Sequence, residues 1–356
     1  MGTPSLLLAL RWVVGALAAV VLTTLGPAPL RPPPEVSTAP VTPSEASGPS
    51  ATPPEDPTPS AMPPEDPSPS ATPPEAAGPT AAPTPSPSVG AAAPATFPTA
   101  ETAGLPAGWS PRRTHTGDLW IRKAGTVVQD LRITDGVIYV AAKDVTLRRV
   151  DAVGAKVVND AGGTCGSGLV IEASRFVAGS APTSDTDLPV IGNGGFTVRD
   201  VVIDGVPEGI RVGAEQCGDV VIERTFVRIT PPDACPDWHG DGIQGYGGGS
   251  VTVRQTRIIM HEREDCYGTA PFFYPSGQGN TSLTVDGLLV EGGGYPFRAG
   301  APGTVRDLQV VRDSWGHGPV DVLCSALTTW QAHVVTVSKD GRTARGPAIE
   351  CGGSGS

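Results

Sequence analysis

Alternating apolar and polar residues recur along the second half of the chain. The clearest copies lie between residues 197 and 311, where Val, Ile or Leu occupy alternate positions with charged or small residues between them. A period of two predicts β-strands. Eight copies align, and their equivalent apolar positions are Val128, Leu147, Ile171, Val198, Ile222, Val253, Val285 and Val305.

The spacing of these copies predicts a solenoid. Neighbouring positions are 19 to 32 residues apart, and a repeat of roughly 20–50 residues with one strand motif per copy is typical of repeat architectures. The Leu-x-x-Leu-x-Leu pattern of leucine-rich repeats is absent, and helical periodicity is scarce. These features favour an all-β fold, a parallel β-helix in which each coil stacks on the last and insertions become loops.

A second column of strands is predicted ahead of the first. Gly136, Gly209, Gly242 and Gly294 each begin a short apolar segment 11 to 13 residues before an aligned position. Two columns at a constant offset indicate that every coil carries two strands joined by a tight turn.

Residues 1–25 have the composition of an export signal. A single early charge, Arg11, precedes an unbroken stretch of apolar residues and Gly from Trp12 to Leu22. This hydrophobic helix is predicted to be a signal peptide or a membrane anchor. Both alternatives stay open, because Pro29 directly follows the small-residue cleavage site.

Residues 26–104 are dominated by Pro, Ala, Ser and Thr, with three decapeptide copies beginning at Ser50, Ser60 and Ser70. Such a segment buries too little apolar surface to offset its chain entropy, so we expect a disordered, extended stalk. The β-helix domain is predicted to span residues 105–354.

The charge of the chain excludes some partners. The formal net charge is −11; residues 1–104 hold two basic and eight acidic residues, which leaves −5 for the domain. This argues against nucleic-acid binding but leaves a polysaccharide or cell-wall glycan open. We expect a monomer that meets a membrane only through its N-terminal segment.

All six cysteines lie in the domain, and an even count in an exported chain predicts three disulfides. Of the alternative pairings, we expect those that join loops of neighbouring coils or tether the C-terminus. These are Cys165–Cys217, Cys235–Cys266 and Cys324–Cys351. No two cysteines have zinc-ligand spacing, no cofactor is expected, and a calcium requirement stays open.

The densest polar segment, residues 237–244, lies where one coil enters its Gly-led strand. Acidic-sugar chemistry needs a base for the C5 proton and a cation for the carboxylate. His239 is the candidate base, with Asp237 or Asp241 to orient it, and Arg298 or Arg211 is the candidate cation. Capping of exposed backbone groups is the structural alternative for His239 and Asp241.

Other polar and aromatic residues should line the same edge, because stacked coils align residues that are distant in sequence. Glu208 is expected beside Asp241, and Arg211 beside Gln244. Glycoside hydrolysis would need two carboxylates, which Asp241 could form with Glu208 or Asp313. The remaining candidates for substrate binding are Tyr246, Tyr295 and His317, and Trp238 is a further candidate stacking platform.

Three segments carry a family resemblance: His239-Gly-Asp-Gly-Ile-Gln, Ser250-Val-Thr-Val-Arg and Leu288-Leu-Val-Glu-Gly-Gly-Gly-Tyr295. They resemble exported proteins of the pectin-lyase-like superfamily, over roughly residues 125–325. The resemblance implies a single-stranded, right-handed parallel β-helix and leaves the activity open, because most such members have no assigned reaction.

The sequence predicts an extracytoplasmic protein, either at the cell surface or secreted. The leading hypothesis is a β-helix protein that binds or modifies a polysaccharide, with lyase or C5-epimerase chemistry on an acidic glycan at His239. The alternatives are a non-catalytic glycan-binding or adhesion module and a purely structural surface protein.

Overall fold

The structure is a computed structural model that describes residues 96–183, 189–235 and 237–352. The described part is all-β, with 23 strands and four short 3-10 helices. None of its helices has the length and apolarity needed to cross a membrane. The predicted signal or anchor at residues 1–25 and the linker up to residue 95 lie outside the described residues.

The strands in chain order are β1 Arg113–Thr116, β2 Leu119–Ile121, β3 Val127–Thr134, β4 Val137–Val140, β5 Thr146–Val153, β6 Lys156–Val158, β7 Leu169–Glu172, β8 Arg175–Val177, β9 Ile191–Gly192, β10 Phe196–Arg199, β11 Val202–Val206, β12 Ile210–Val212, β13 Val220–Glu223, β14 Phe226–Ile229, β15 Asp241–Gly245, β16 Val251–Met260, β17 Ala270–Tyr274, β18 Leu283–Glu291, β19 Phe297–Ala299, β20 Gly303–Val311, β21 Val320–Val322, β22 Leu327–Val337 and β23 Thr343–Ala348. The 3-10 helices are Ala161–Gly163, Glu215–Cys217, Ser276–Gln278 and Cys324–Ala326.

Within the described residues, the strands form two sheets, and the chain alternates between them. The 14-stranded sheet, here the long sheet, begins with β1 and β3, and the 9-stranded sheet, here the short sheet, runs from β2 to β21. The neighbouring strands pair in parallel, except that β23 folds back antiparallel on β22. Each coil therefore contributes strands first to one sheet and then to the other, an arrangement compatible with a parallel β-helix.

The predicted register of the long sheet is confirmed. The eight aligned positions, from Val128 to Val305, are direct partners of one another across successive strands. All eight side chains are buried, and seven of them are fully inaccessible. A stack of Val, Ile and Leu therefore runs through the core, as the period-two pattern requires.

The Gly-led column is confirmed at three of its four positions. Strands β4, β12 and β15 begin at or next to Gly136, Gly209 and Gly242, whereas β19 begins at Phe297, three residues beyond Gly294. The short sheet also contains β6, β9 and β17, which the sequence did not predict. These strands are two to five residues long, too short for a periodic signal.

Each coil bends within its long-sheet strand. The residue two positions after every aligned apolar position has a left-handed backbone, with φ between 42° and 85°. The eight residues are Asp130, Arg149, Ala173, Asp200, Arg224, Gln255, Gly287 and Asp307. This conformation interrupts the extended backbone, so the strands of the long sheet bend at the same position in successive coils.

Charges alternate along the outer side of the long sheet. The residues one position after the aligned apolar positions are register partners: Gln129, Arg148, Glu172, Arg199, Glu223, Arg254, Asp286 and Arg306. Arg199 donates to Glu172 at 2.9 Å, and Arg254 to Glu223 at 2.6 Å. Arg199, Arg254 and Arg306 thus form a ladder with acidic register partners on this face.

The three predicted disulfides are present. The Cα–Cα distances are 5.2 Å for Cys165–Cys217, 5.9 Å for Cys235–Cys266 and 5.8 Å for Cys324–Cys351. Three disulfides are consistent with an extracytoplasmic protein.

The Cys165–Cys217 disulfide reaches across two coils. Between its two loops lies the short turn after β9, which contains Gly194 and Gly195. A Cβ at Gly195 would collide with the carbonyl oxygen of Cys217, and Gly195 has φ +68°. Glycine is therefore needed here, because the loop that contains Cys217 packs directly on this turn to reach Cys165.

The fold also includes part of the segment that we assigned to the linker. Residues 96–112, here called the strap, run along the outside of the long sheet, from its last coils to its first. Thr96 forms a bridge with Arg342 near the end of β22, and the Gly104 amide donates to the Asp200 carbonyl at 3.1 Å. The Trp109 indole donates to Asp130 at 3.1 Å.

Apolar contacts hold the strap down. Phe97 is fully buried against Leu289 and Val335. Ala100 and Ala103 pack on the cluster formed by Val202, Phe226 and Ile259. The strap therefore covers apolar residues that the outer side of the long sheet would otherwise expose.

Candidate functional site

The outer face of the short sheet carries a row of outward side chains. Register pairs place Trp120 beside Tyr139 at one end, Arg211 beside Gln244 in the middle, and Phe273, Arg298 and Asp321 in succession at the other end. This face differs from the long sheet, whose outer charges pair with one another. Aromatic and hydrogen-bonding side chains in one row are suited to a polymeric ligand.

A cleft of about 470 Å³ opens at the C-terminal end of this row. It is lined by Cys235, Asp237, Trp238, His239, Asp265, Cys266, Tyr267, Gly268, Thr269, Gly294, Tyr295, Arg298 and His317. Five of the predicted catalytic and binding residues therefore share one cleft, although they do not all come from one coil: Asp237, His239, Tyr295, Arg298 and His317.

Trp238 fixes the corner that presents His239. Its indole is 4% exposed and donates to the Pro207 carbonyl at 2.9 Å, while the flanking Asp237 and His239 are exposed. A Cβ at Gly240 would collide with this indole, so the packing of Trp238 requires glycine at position 240. Because it is buried, Trp238 is not a stacking platform for a sugar.

His239 pairs with Asp237. The Nε2 atom of His239 lies 3.1 Å from Oδ1 of Asp237, and both side chains are at least 75% exposed. The main chain beside them is tied to the next coil, because the hydroxyl of Thr269 donates to the His239 carbonyl at 3.2 Å. A carboxylate on one imidazole nitrogen orients the ring and leaves Nδ1 as the nitrogen available to a ligand.

Arg298 is held by neighbours on its own face. Its Nε and Nη2 atoms lie 3.0 Å and 2.9 Å from Oδ2 of Asp321, and its guanidinium carbon is 5.0 Å from the centre of the Phe273 ring. A guanidinium has five N–H donors, so donors remain for a ligand carboxylate after the bond to Asp321.

Tyr295 and His317 form the wall opposite the disulfide loop. Their ring centres are 5.6 Å apart. Gly294 makes room for this contact, because a Cβ there would lie 2.8 Å from the His317 ring. The Glu262 carboxylate lies behind this wall and accepts from the Gly268 amide at 3.1 Å; burial raises the pKa of Glu262, and His317 opposes that rise.

Asp241 does not reach the cleft. Its side chain is fully buried, with Oδ1 accepting from the Ala270 amide at 3.1 Å and Oδ2 without a hydrogen-bond partner among the described residues. Burial, followed by the nearby Glu208, raises the pKa of Asp241 well above its usual range. Asp241 shares the inward orientation of Ile243 in β15, so it is Asp237, not Asp241, that contacts His239.

Glu208, Arg211 and Gln244 form a separate polar group in the middle of the row. Arg211 donates to Glu208 at 2.8 Å and to Gln244 at 3.0 Å, and the predicted pairing of Arg211 with Gln244 is the observed register. Glu208 is 9% exposed, and burial raises its pKa against the influence of Arg211. These residues do not line the cleft.

Tyr246 lies outside the cleft, at the far end of β15, with 64% of its surface exposed. Three residues that the sequence analysis missed contribute to the site: Tyr267, which is 63% exposed at the rim, and Phe273 and Asp321, which support Arg298. Phe273 was missed because β17 was missed. Tyr267 could have been found from its position next to Cys266.

Among the described residues, no group of three His, Cys, Asp or Glu side chains is arranged to hold a metal ion. Comparison with known proteins leaves the chain without an assigned relative. No protein family model matches it, no curated protein is significantly similar to it, and no solved structure matches it.

Proposed function

We propose that this chain is an exported, right-handed parallel β-helix protein of the pectin-lyase-like kind. It binds an acidic polysaccharide across the outer face of the short sheet and transfers a proton at His239. The observation that carries this proposal is one cleft that combines a carboxylate-paired imidazole, His239–Asp237, with a guanidinium, Arg298.

The cleft supplies the groups that uronate chemistry needs. Arg298 pairs with the sugar carboxylate, which lowers the energy of the charge that develops when the C5 proton leaves. His239 accepts that proton as a base positioned by Asp237. In elimination, the C5 electrons form the C4–C5 double bond, the C4–O4 bond breaks, and the departing oxygen takes a proton from an acid; His317, which lines the same cleft, is the candidate.

Hydrolysis by two carboxylates is less well supported. That mechanism places an acid and a nucleophile or base on either side of the glycosidic bond, with the carboxyl groups roughly 5–10 Å apart. Asp241, which the sequence suggested for one of these roles with Glu208 or Asp313, is enclosed in the core. It would have to leave the interior to meet a sugar.

A non-catalytic glycan-binding module is the second candidate. Two observations favour it: His239 is 75% exposed in its side chain, and Arg298 already has a carboxylate partner in Asp321. Exposed groups are screened by water, so a base there gains less from its surroundings than a base in a closed site. In this case the cleft and the outward row of the short sheet bind the glycan and catalyse no reaction.

The deciding experiment compares the full chain with its His239→Ala and Arg298→Ala variants on uronate polymers. Ultraviolet absorbance detects the unsaturated product of elimination, and NMR detects inversion at C5. We expect His239→Ala to lose about 10²- to 10⁴-fold in rate and Arg298→Ala to weaken binding as well.

His261→Ala is the matched control, because His261 is exposed and does not line the cleft. A wild-type chain that binds uronates without turnover would establish the binding module instead. A wild-type chain that neither binds nor turns over any uronate would refute both candidates.

A further inference from the structure

The outward row of the short sheet extends well beyond the cleft. In register order it contains Trp120, Tyr139, Val158, Gly192, Arg211, Gln244, Phe273, Arg298 and Asp321. Seven strand-to-strand steps separate Trp120 from Arg298. At roughly 4.8 Å a step, this corresponds to about 34 Å. The row is therefore long enough for an extended polymer to contact both of its ends.

An exposed aromatic pair occupies the N-terminal end of this row. The rings of Trp120 and Tyr139 stack, with centres 4.3 Å apart and planes 20° apart, and Trp120 is 44% exposed. Most other large apolar side chains of the described domain are buried, including its Phe residues at positions 97, 176, 196, 226, 272 and 297. Trp120 is therefore one of the few large apolar side chains of the described residues that stay exposed.

The exposure of Trp120 is not explained by a role in covering the end of the core. In β2 the flanking residues Leu119 and Ile121 point inward, and Ile121 is 4% exposed. Trp120 points to the opposite side, onto the outer face of the sheet. Its neighbour along the row is Tyr139, a residue of the same outward column, and not a residue of the core.

The pair is accompanied by positive charge. The guanidinium carbon of Arg122 lies 4.4 Å from the centre of the Trp120 ring, and the following residue, Lys123, is also exposed. An exposed aromatic pair with an adjacent cation offers apolar contact to a sugar ring and a partner for a carboxylate on it. Arg298 offers the same combination at the other end, over Phe273 and Tyr295.

We propose that Trp120, Tyr139 and Arg122 form a distal subsite for an anionic glycan, about 34 Å from Arg298, so that a long chain is held at both ends of the short sheet. This inference rests on the proposed function, because the same polymer occupies the cleft. Two linked contacts raise the apparent affinity well above that of either contact alone. The distal subsite therefore makes the apparent affinity depend on the length of the glycan chain.

The test measures binding of a uronate disaccharide and of the long polymer to the full chain by titration calorimetry. We expect Trp120→Ala to weaken binding of the long polymer by at least about tenfold and to leave disaccharide binding at the cleft unchanged. Arg122→Ala should act in the same direction and more strongly at low salt. Val127→Ala, which removes an apolar side chain that is 51% exposed on the long sheet, is the matched control.

The outcomes separate the two proposals. If Trp120→Ala binds the long polymer as tightly as wild type while Arg298→Ala loses it, the distal subsite is overturned and the cleft stands. If Trp120→Ala loses the polymer and Arg298→Ala does not, the aromatic pair binds the glycan by itself; the proposed cleft function then falls, and with it the inference that one chain is held at both ends. If the wild-type chain binds neither ligand, both are overturned.

Discussion

At the scale of single residues, the direction of a side chain decides its role. Asp237 and Asp241 flank the same corner, yet Asp237 is exposed beside His239 and Asp241 is enclosed beside Glu208. The alternation of β15 already contained this information, because Asp241 has the same parity as the apolar Ile243, which points inward. The chemistry of the motif suggested a catalytic aspartate, and the geometry of the strand overrides that suggestion.

The buried Asp241 predicts a particular pH dependence of stability. Its pKa is raised in the folded state, so the folded chain binds the proton more tightly than the unfolded chain. The contribution of Asp241 to the free energy of unfolding is therefore fully present below its unfolded pKa, near 3.9. This contribution is lost as the pH rises towards the pKa of the folded state. Asp241→Asn keeps the acceptor for the Ala270 amide and removes this titration.

The measurement is urea unfolding of wild type and Asp241→Asn at several pH values between 4 and 7, with Asp237→Asn as the exposed control. The free energy of unfolding of Asp241→Asn should gain on wild type as the pH rises, by at most about 1.4 kcal/mol for each pH unit. Parallel curves for the two proteins would show that the Asp241 carboxyl titrates alike in both states.

At the scale of elements, the sequence predicted what is long and periodic. The eight long-sheet positions follow from spacing, because buried strands in a stack need apolar residues at every second position. The three disulfides were predicted on a different ground, that they join loops of neighbouring coils or tether the C-terminus. Strands β6, β9 and β17 were not predicted, since their two to five residues carry no period. The left-handed bends were also missed, although Asp recurs two residues after Val128, Val198 and Val305.

The strap was missed for another reason. Its composition continues that of the Pro-, Ala- and Thr-rich tract before it, and only Phe97 and Trp109 distinguish it. Neither residue forms a pattern with its neighbours, because each contacts a different coil. Contacts of this kind depend on the finished stack and leave no periodic signature.

The strap predicts a stability effect outside the repeat. Phe97→Ala removes a fully buried ring from the cluster with Leu289 and Val335 and should cost about 3 kcal/mol. Hydrogen exchange should show lost protection at the Gly104 amide, which donates to Asp200. Glu101→Ala, an exposed change in the same segment, should stay within about 0.5 kcal/mol. Equal protection in both variants would show that Phe97 does not hold the strap.

At the scale of the whole molecule, charge distinguishes the two sheets. The long sheet alternates acidic and basic residues from coil to coil, so its charges satisfy one another. The short sheet has no such alternation; its outer row combines aromatic rings with Arg211 and Arg298. Arg211 and Arg298 each have a carboxylate neighbour, Glu208 and Asp321, so an anionic polymer bound there as proposed would share these cations with the protein's own carboxylates.

The charge ladder predicts a salt-dependent defect. Glu172→Arg would place a third cation between Arg148 and Arg199, which both contact Glu172 in the native stack. Exposed pairs contribute little, so we expect a loss of about 1–2 kcal/mol at low ionic strength that shrinks as salt is added. Glu350→Arg, an exposed change outside the ladder, is the control for thermal unfolding across a salt series. A loss that is independent of salt would point to packing instead of charge.

The course of the strap has a mechanical consequence. The chain enters the fold at Thr96 beside Arg342, at the closing hairpin, and only then travels back to start the first coil. Tension applied through the preceding residues is therefore delivered to β22 and β23 before any other strand. The force must break the packing of Phe97 and then the hydrogen bond of the Gly104 amide before it acts on the coil that carries Trp120.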